Sequence, residues 1–142
     1  MRRIFLIVFI VVAFCAAVCA QKINQAKVPV AVKQAFTHQY PGIAGKWEKE
    51  NDNYEVNFRK DGKAMSVVLD EKGAILETET GIAVKELPAG VESYIKTHYK
   101  GAAIKEAARI VKANGETIYE AEVNKTDVLF DTNGKFIKEA KD

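Results

Sequence analysis

Two aspartate-led turns constrain this chain more than any other feature. Asp70-Glu71-Lys72-Gly73 and Asp131-Thr132-Asn133-Gly134 stand 61 residues apart, each bounded by apolar residues. Glycine supplies the positive φ that a hairpin turn needs, and aspartate bonds the backbone that follows it. Working back from each turn gives the same order of elements. Residues 65–69 and 128–130 are short apolar runs. Before them, Tyr54-Glu55-Val56-Asn57-Phe58-Arg59 and Tyr119-Glu120-Ala121-Glu122-Val123-Asn124 alternate apolar with polar, the period of a half-buried strand. One further strand is expected around 47–50 and around 104–112, and a last one after each turn, 74–79 and 135–139. Asn51-Asp52-Asn53, Asp61-Gly62 and Asn114-Gly115 supply the other hairpin breaks.

Each series opens on a helix. Pro29 leads to Val32, Ala35, Phe36 and Tyr40, and Pro88 leads to Val91, Tyr94, Ile95 and Tyr99, one apolar stripe at helical spacing in each case. Proline suits a first helical turn because its missing N–H has no partner there. Gly42 and Gly101 stop the helices. Helices this short are marginal alone in water and must pack on something. The expected fold class is therefore α+β, with a helix followed by about four antiparallel strands, twice (α-β-β-β-β). The units span 28–79 and 87–142, joined through a linker at 80–86 and preceded by a polar lead at 21–27. Matching positions drift from 59 residues apart at the helices to 65 at Tyr54 and Tyr119, as a duplication with altered loops would. The competing reading is that any two α+β units share turn chemistry, but the shared order of elements favours duplication. A unit near fifty residues buries too little apolar surface alone, so a shared core or a continued sheet is expected, giving one combined domain.

Composition matters mainly for what precedes this. The 142 residues carry a net charge of +2 from 21 Lys and Arg against 19 Asp and Glu. Arg2 and Arg3 account for that excess, and both cysteines, Cys15 and Cys19, lie within the first twenty residues. The rest is charge-balanced and cysteine-free, which excludes a disulfide framework, a cysteine metal site and a cysteine nucleophile, and argues against a generally basic nucleic-acid binder. Arg2-Arg3, the apolar run over 4–14 and the small residues that follow have the layout of a secretory signal peptide, with cleavage expected after Ala20. A retained anchor is the alternative: the uninterrupted stretch over 4–20 is at the lower limit for a spanning helix. Lipid attachment fits poorly, because Phe14 and Val18 rather than small residues precede the cysteines. The expectation is a periplasmic or secreted protein with no membrane association after cleavage.

The export signal, the Pro-led helix ending in Tyr40-Pro41, the Tyr54-Glu55-Val56 strand and Leu69-Asp70-Glu71-Lys72-Gly73-Ala74-Ile75-Leu76, echoed by Phe130-Asp131-Thr132-Asn133-Gly134-Lys135-Phe136, together carry a resemblance. The chain resembles the PepSY-like proteins of Bacteroides-type bacteria, described as β-lactamase-inhibitor-like. The resemblance covers nearly all of the chain after the leader, through strand-and-turn patterns rather than catalytic signatures. It implies an exported tandem helix-plus-sheet fold without known catalysis. PepSY modules elsewhere accompany secreted peptidases and are proposed to restrain them. The β-lactamase inhibitor protein grips an enzyme with the exposed sheet face of a similar fold. Likeness of fold transfers no target.

Catalytic chemistry has few candidates. His38 and His98 sit near the helix ends, where an imidazole suits the helix dipole; a metal pair between the halves is the alternative. No His-Glu-x-x-His or acidic calcium-loop spacing is present. Asp70, Glu71 and Asp131 read as turn formers. Ser66 and Ser93 lack a nucleophile elbow, and Gly42, Gly45 and Gly62 form no phosphate-cradling loop. Asn124-Lys125-Thr126 matches a short glycosylation sequon. No catalytic, cofactor or metal residue is assigned, and no cofactor is expected. Lys46, Lys49, Arg59, Lys60 and Lys63 lie near Trp47 and Tyr54, but Glu48, Glu50, Asp52 and Glu55 interleave with them. Mixed signs at period two describe a solvated sheet face rather than a nucleic-acid site.

Binding to protein is the class left. With Tyr54, Val56 and Phe58 turned toward the helix, Glu55, Asn57 and Arg59 point outward. With Tyr119, Ala121 and Val123 inward, Glu120 and Glu122 point outward, so a charged outer face is expected. Trp47, the sole tryptophan, is either an interface hot spot or a core or rim residue covering the helix end. The expected function is a non-enzymatic exported protein-interaction module, an inhibitor or modulator of an envelope or secreted enzyme. It would act through Trp47, Glu55, Asn57, Arg59, Glu120 and Glu122 on a protein partner that the sequence does not specify. The alternative is a small-ligand-binding envelope protein with a pocket between helix and sheet. An enzyme would need a cleft gathering His38 or His98 with carboxylates.

Overall fold

A computed structural model describes residues 20–141, so the expected signal peptide, apart from its last residue, lies outside the described residues. The elements are β1 (Gln21–Ile23), a 3-10 turn (Gln25–Lys27), α1 (Val30–Gln39), β2 (Lys46–Glu50), β3 (Asn53–Lys60), β4 (Lys63–Leu69) and β5 (Ile75–Ile82). A second 3-10 turn (Val84–Glu86), α2 (Val91–His98), β6 (Glu106–Lys112), β7 (Thr117–Val123), β8 (Thr126–Phe130) and β9 (Phe136–Lys141) follow. Among the described residues, nine strands form one antiparallel sheet in sequence order, β1 to β9.

Helices and hairpins fall close to where the sequence pattern places them. Two stretches differ. Within the stretch 21–27, expected only as a polar lead, Gln21–Ile23 form β1, because Ile23 pairs opposite Trp47. The last strand of the first half does not end at residue 79. It runs to Ile82, since Thr80 has partners on both sides, Met65 on β4 and Arg109 on β6. What was expected as a linker is thus the end of a strand plus a 3-10 turn.

Register fixes the two faces of the sheet. Paired residues point the same way, so Trp47, Val56, Val67, Thr78 and Val111 share one face. Counting along β6 at period two carries that face to Ala107 and then to Ala121. Both helices cover this face. Val32 and Phe36 of α1 pack into a cluster with Trp47, Tyr54, Val56, Phe58, Val67 and Leu69. Val91 and Ile95 of α2 pack with Ala121, Val123, Val128 and Phe130. The two clusters are separate. Between them the helix-side positions of β5 and β6 include Thr78, Thr80 and Arg109, which are partly or fully exposed. The sheet is therefore continuous while the apolar core is divided.

The helices end alike. The Tyr40 amide donates to the Phe36 carbonyl and the Tyr99 amide to the Ile95 carbonyl, both at 2.8 Å. The Tyr99 hydroxyl then donates to the Glu139 carboxylate on β9, and burial with that neighbouring charge pushes the phenol up to about 12. In the turns, Asp70 Oδ1 accepts from the Lys72 and Ala74 amides, and Asp131 Oδ1 from those of Asn133 and Lys135.

The glycines of these turns do more than permit a bend. Gly73 (φ +87°) and Gly134 (φ +77°) press against the helix starts. A Cβ would lie 2.7 Å from the Ala31 carbonyl oxygen at Gly73, and 2.2 Å from that of Ala89 at Gly134. The β4–β5 and β8–β9 turns thus seat α1 and α2. Gly115 also has positive φ, +84°, but nothing lies near its would-be Cβ. Gly115→Ala is expected to cost about 1–2 kcal/mol from backbone strain alone. Gly73→Ala and Gly134→Ala are each expected to cost about 2–4 kcal/mol, strain plus overpacking. Urea denaturation checks this; equal losses at all three positions would contradict the seating role.

Candidate functional site: the open face of the sheet

The second face of the sheet carries no helix of the described chain. Parity brings Glu55, Asn57 and Arg59 of β3 onto it together with Glu120 and Glu122 of β7, as period-two reading predicts. Trp47 is not there. It lies on the helix-covered side, 4% exposed, with its ring edge-on to Phe36 at 5.6 Å. It belongs to the first core and leaves the set of surface contacts, because β2 turns its odd positions toward α1.

The face is also less uniformly charged than expected. Ile110, Ile118 and Leu129 form a buried apolar cluster on it, with Ile110 opposite Ile118 and Leu129 opposite Glu120. The acidic positions gather toward the middle. Glu77 and Glu79 of β5, Glu106 of β6, and Glu120 and Glu122 of β7 all share this face. Glu106 and Glu122 are directly opposite each other, an arrangement that costs stability, and Lys105 Nζ lies 3.6 Å from the Glu122 carboxylate. Arg59 stands exposed toward the end of β3, where its guanidinium donates to the Gly62 carbonyl of the next turn.

Where β3 to β7 cross the middle of the sheet, the face dips. A depression of about 240 Å³ is lined by Asn57, Ser66, Glu79, Glu106 and Glu120, over small residues Ala64, Gly81 and Ala108. Asn57 comes from the first half and Glu120 from the second, so two positions singled out in sequence meet at one site. Ser66 was weighed only as a nucleophile, and Glu79 and Glu106 were not among the expected contacts. The alternation Glu77-Thr78-Glu79-Thr80 is the signal for Glu79, but its place depends on the β5–β6 register, which a single strand does not encode.

Next to the depression, the Glu55 carboxyl is held above its ordinary value of 4.5, chiefly by burial, with Glu48 and Glu50 adding repulsion and bonds from Ser66 and Asn57 partly opposing the rise. Elsewhere, His98 Nδ1 lies 2.9 Å from the Tyr94 carbonyl and its ring stacks on Tyr94 at 3.9 Å. His38 sits beside Val30, Lys33, Gln34 and Thr37 on α1. Neither histidine touches the open face. Among the described residues, no group of three or more potential ligands is placed to hold a metal ion.

The family profile described as beta-lactamase-inhibitor-like, PepSY-like matches residues 17–77 and again 52–138. The chain belongs to the PepSY-like family. The PepSY-like fold here is shared with solved structures. A protein from Bacteroides eggerthii described as periplasmic superposes with a TM-score of 0.69 at 19% identity, over 80% of this chain and 88% of that one. A DUF2874 family protein from Bacteroides uniformis gives 0.67 at 21% identity, over 79% and 88%. A BLIP-like protein from Bacteroides fragilis gives 0.58 at 25% identity, over 78% and 83%. No curated protein sequence matches the chain. No described helix is long and apolar enough to cross a membrane.

The raised Glu55 carboxyl makes a signed prediction. A carboxyl raised on folding means the native state binds more protons than the unfolded chain between the two values. Stability is therefore greatest below about 4.5 for this group and falls as pH rises through its raised value. Glu55→Gln keeps the bond to Ser66 and removes the charge. It is expected to be more stable than the parent at neutral pH and to lose the downward slope above pH 4.5 in urea midpoints. Parallel pH profiles would contradict the assignment.

Proposed function

We propose that this PepSY-like protein is a non-enzymatic interaction module of the periplasm or cell exterior, which binds a protein partner with the open face of its sheet and thereby inhibits or modulates an envelope or secreted enzyme. One observation carries the reading. Both helices lie on the same side, so the other side offers a helix-free surface to which both halves contribute, with a depression where they meet. Glu55, Asn57, Arg59, Glu120 and Glu122 lie on it, so what it presents is polar and charged, while Ile110, Ile118 and Leu129 on the same face are buried. Polar groups of this kind fix the orientation of a partner at an interface. Kinship with proteins described as periplasmic and as BLIP-like supports both the location and the mode of action. Export through the segment ending at Ala20, with cleavage there, belongs to the same reading.

We also read the two halves as a tandem duplication joined through residues 80–86. Support comes from a cleft beside each helix. Gln25, Lys33, Phe36, Thr37 and 43–45 line the first, and Val84, Glu92, Ile95, Lys96 and 102–104 line the second, all 59 residues apart. The small-ligand reading, expected with a pocket between helix and sheet, finds its support instead in the second of these clefts, between α2, the segment that follows it and the 3-10 turn.

Affinity capture from an envelope fraction, with partners identified by mass spectrometry, tests the surface. Glu120→Lys, beside the central depression, is expected to weaken capture of a given partner by at least about tenfold, and Arg59→Glu, nearer the end of β3, to weaken it measurably. Val30→Asp, 64% exposed on the far side of α1, is expected to leave it unchanged. Capture that survives both face variants would overturn the assignment.

A further inference from the structure

The fold makes the same cleft twice, between the helix, the segment that follows it and the 3-10 turn that precedes it, with volumes of about 230 Å³ in the first half and about 260 Å³ in the second. Its chemistry differs between the halves. In the first, Gln25, Lys33 and Thr37 line it together with the rings of Phe36 and Trp47. In the second, Val84, Ile95, Ala102 and Ile104 form an aliphatic wall, while Glu92 and Lys96 stand at the rim on successive turns of α2. Residues four apart lie on one helix face. Both are exposed, and among the described residues neither forms an ion pair. Only the second cleft therefore sets an acid and a base beside an aliphatic floor.

We propose that this cleft binds a free amino acid with an apolar side chain, of the size of leucine or phenylalanine. The ammonium group would face Glu92, the carboxylate Lys96, and the side chain would pack on Ile95, Ala102 and Ile104. The volume lies below the roughly 300–1,000 Å³ of sites for drug-sized ligands, which suits a single amino acid. Charge complementarity selects the class: a simple carboxylate would leave Glu92 facing its like, and a simple amine would leave Lys96 unmatched. The site is separate from the open face and does not depend on the protein-binding reading.

Amide chemical shifts of the purified protein, followed during titration with L-leucine, L-phenylalanine, glycine, hexanoate and hexylamine, test this. The two apolar amino acids are expected to shift amides around Ile95, Ala102 and Ile104 in a saturable way, and glycine to leave them in place. Glu92→Gln and Lys96→Gln are each expected to weaken leucine binding about two- to fivefold, the range for an exposed ion pair. Ala102→Leu, which fills the cleft, is expected to abolish it. Both charge variants lie on exposed positions and keep the fold, so the test stands even if Ala102→Leu does not fold. Absence of shifts with both amino acids, hexanoate or hexylamine binding as tightly as leucine, or unchanged affinity in both charge variants would each overturn the proposal.

Discussion

The pairing of β5 on both of its edges is the interaction on which the rest of the structure depends. Its residues meet β4 from Met65 to Leu69 and β6 from Ala107 to Lys112. Separated halves would leave β5 as an exposed edge with a row of unsatisfied N–H and C=O groups, which is costly where buried and sticky where exposed. With β5 shared, the facing of every side chain in one half is locked to the other through period two. Both helices then fall on one side, and the opposite side is left as a single surface. The open face is a consequence of that strand.

The apolar interior does not unite the halves. Phe36, Trp47 and Phe58 pack ring against ring in the first cluster, and Tyr94, Phe130 and Phe136 do so in the second. Thr78, Thr80 and Arg109 are among the helix-side positions of β5 and β6 between the two clusters. Cooperation between the halves therefore runs through the backbone ladder and through the turns that carry Gly73 and Gly134 against the helices. Units of this size bury too little surface to be secure alone, which makes the shared strand worth more than its polar side chains suggest.

Much of this was legible in the sequence because it is local. Period two in 54–59 and 119–124 gave the facing of both central strands, and the proline, aromatic stripe and glycine gave both helices. What was not legible depends on register between distant segments. Thr80-Gly81-Ile82 looks like a linker, with two small or polar residues and no turn of its own, until β4 and β6 pair on either side. Trp47 could sit on either face of a five-residue strand, and only its place opposite Val56 turns it inward. Ile110 and Ile118 look like core residues, yet they fall on the open side because Ala107 and Arg109 set the parity of β6. The site shows the same division: Asn57 and Glu120 were found from local alternation, while Glu79 and Glu106 join them only across the seam.

Native-state hydrogen exchange across the sheet tests the central claim most directly. If the shared strand makes one cooperative unit, β5 amides and the most protected amides beside Val56 and Ala121 will exchange with the same opening free energy, that of global unfolding. Exchange of β6 to β8 through a lower-energy opening that leaves β3 and β4 protected would show that the halves unfold independently, and would contradict the account.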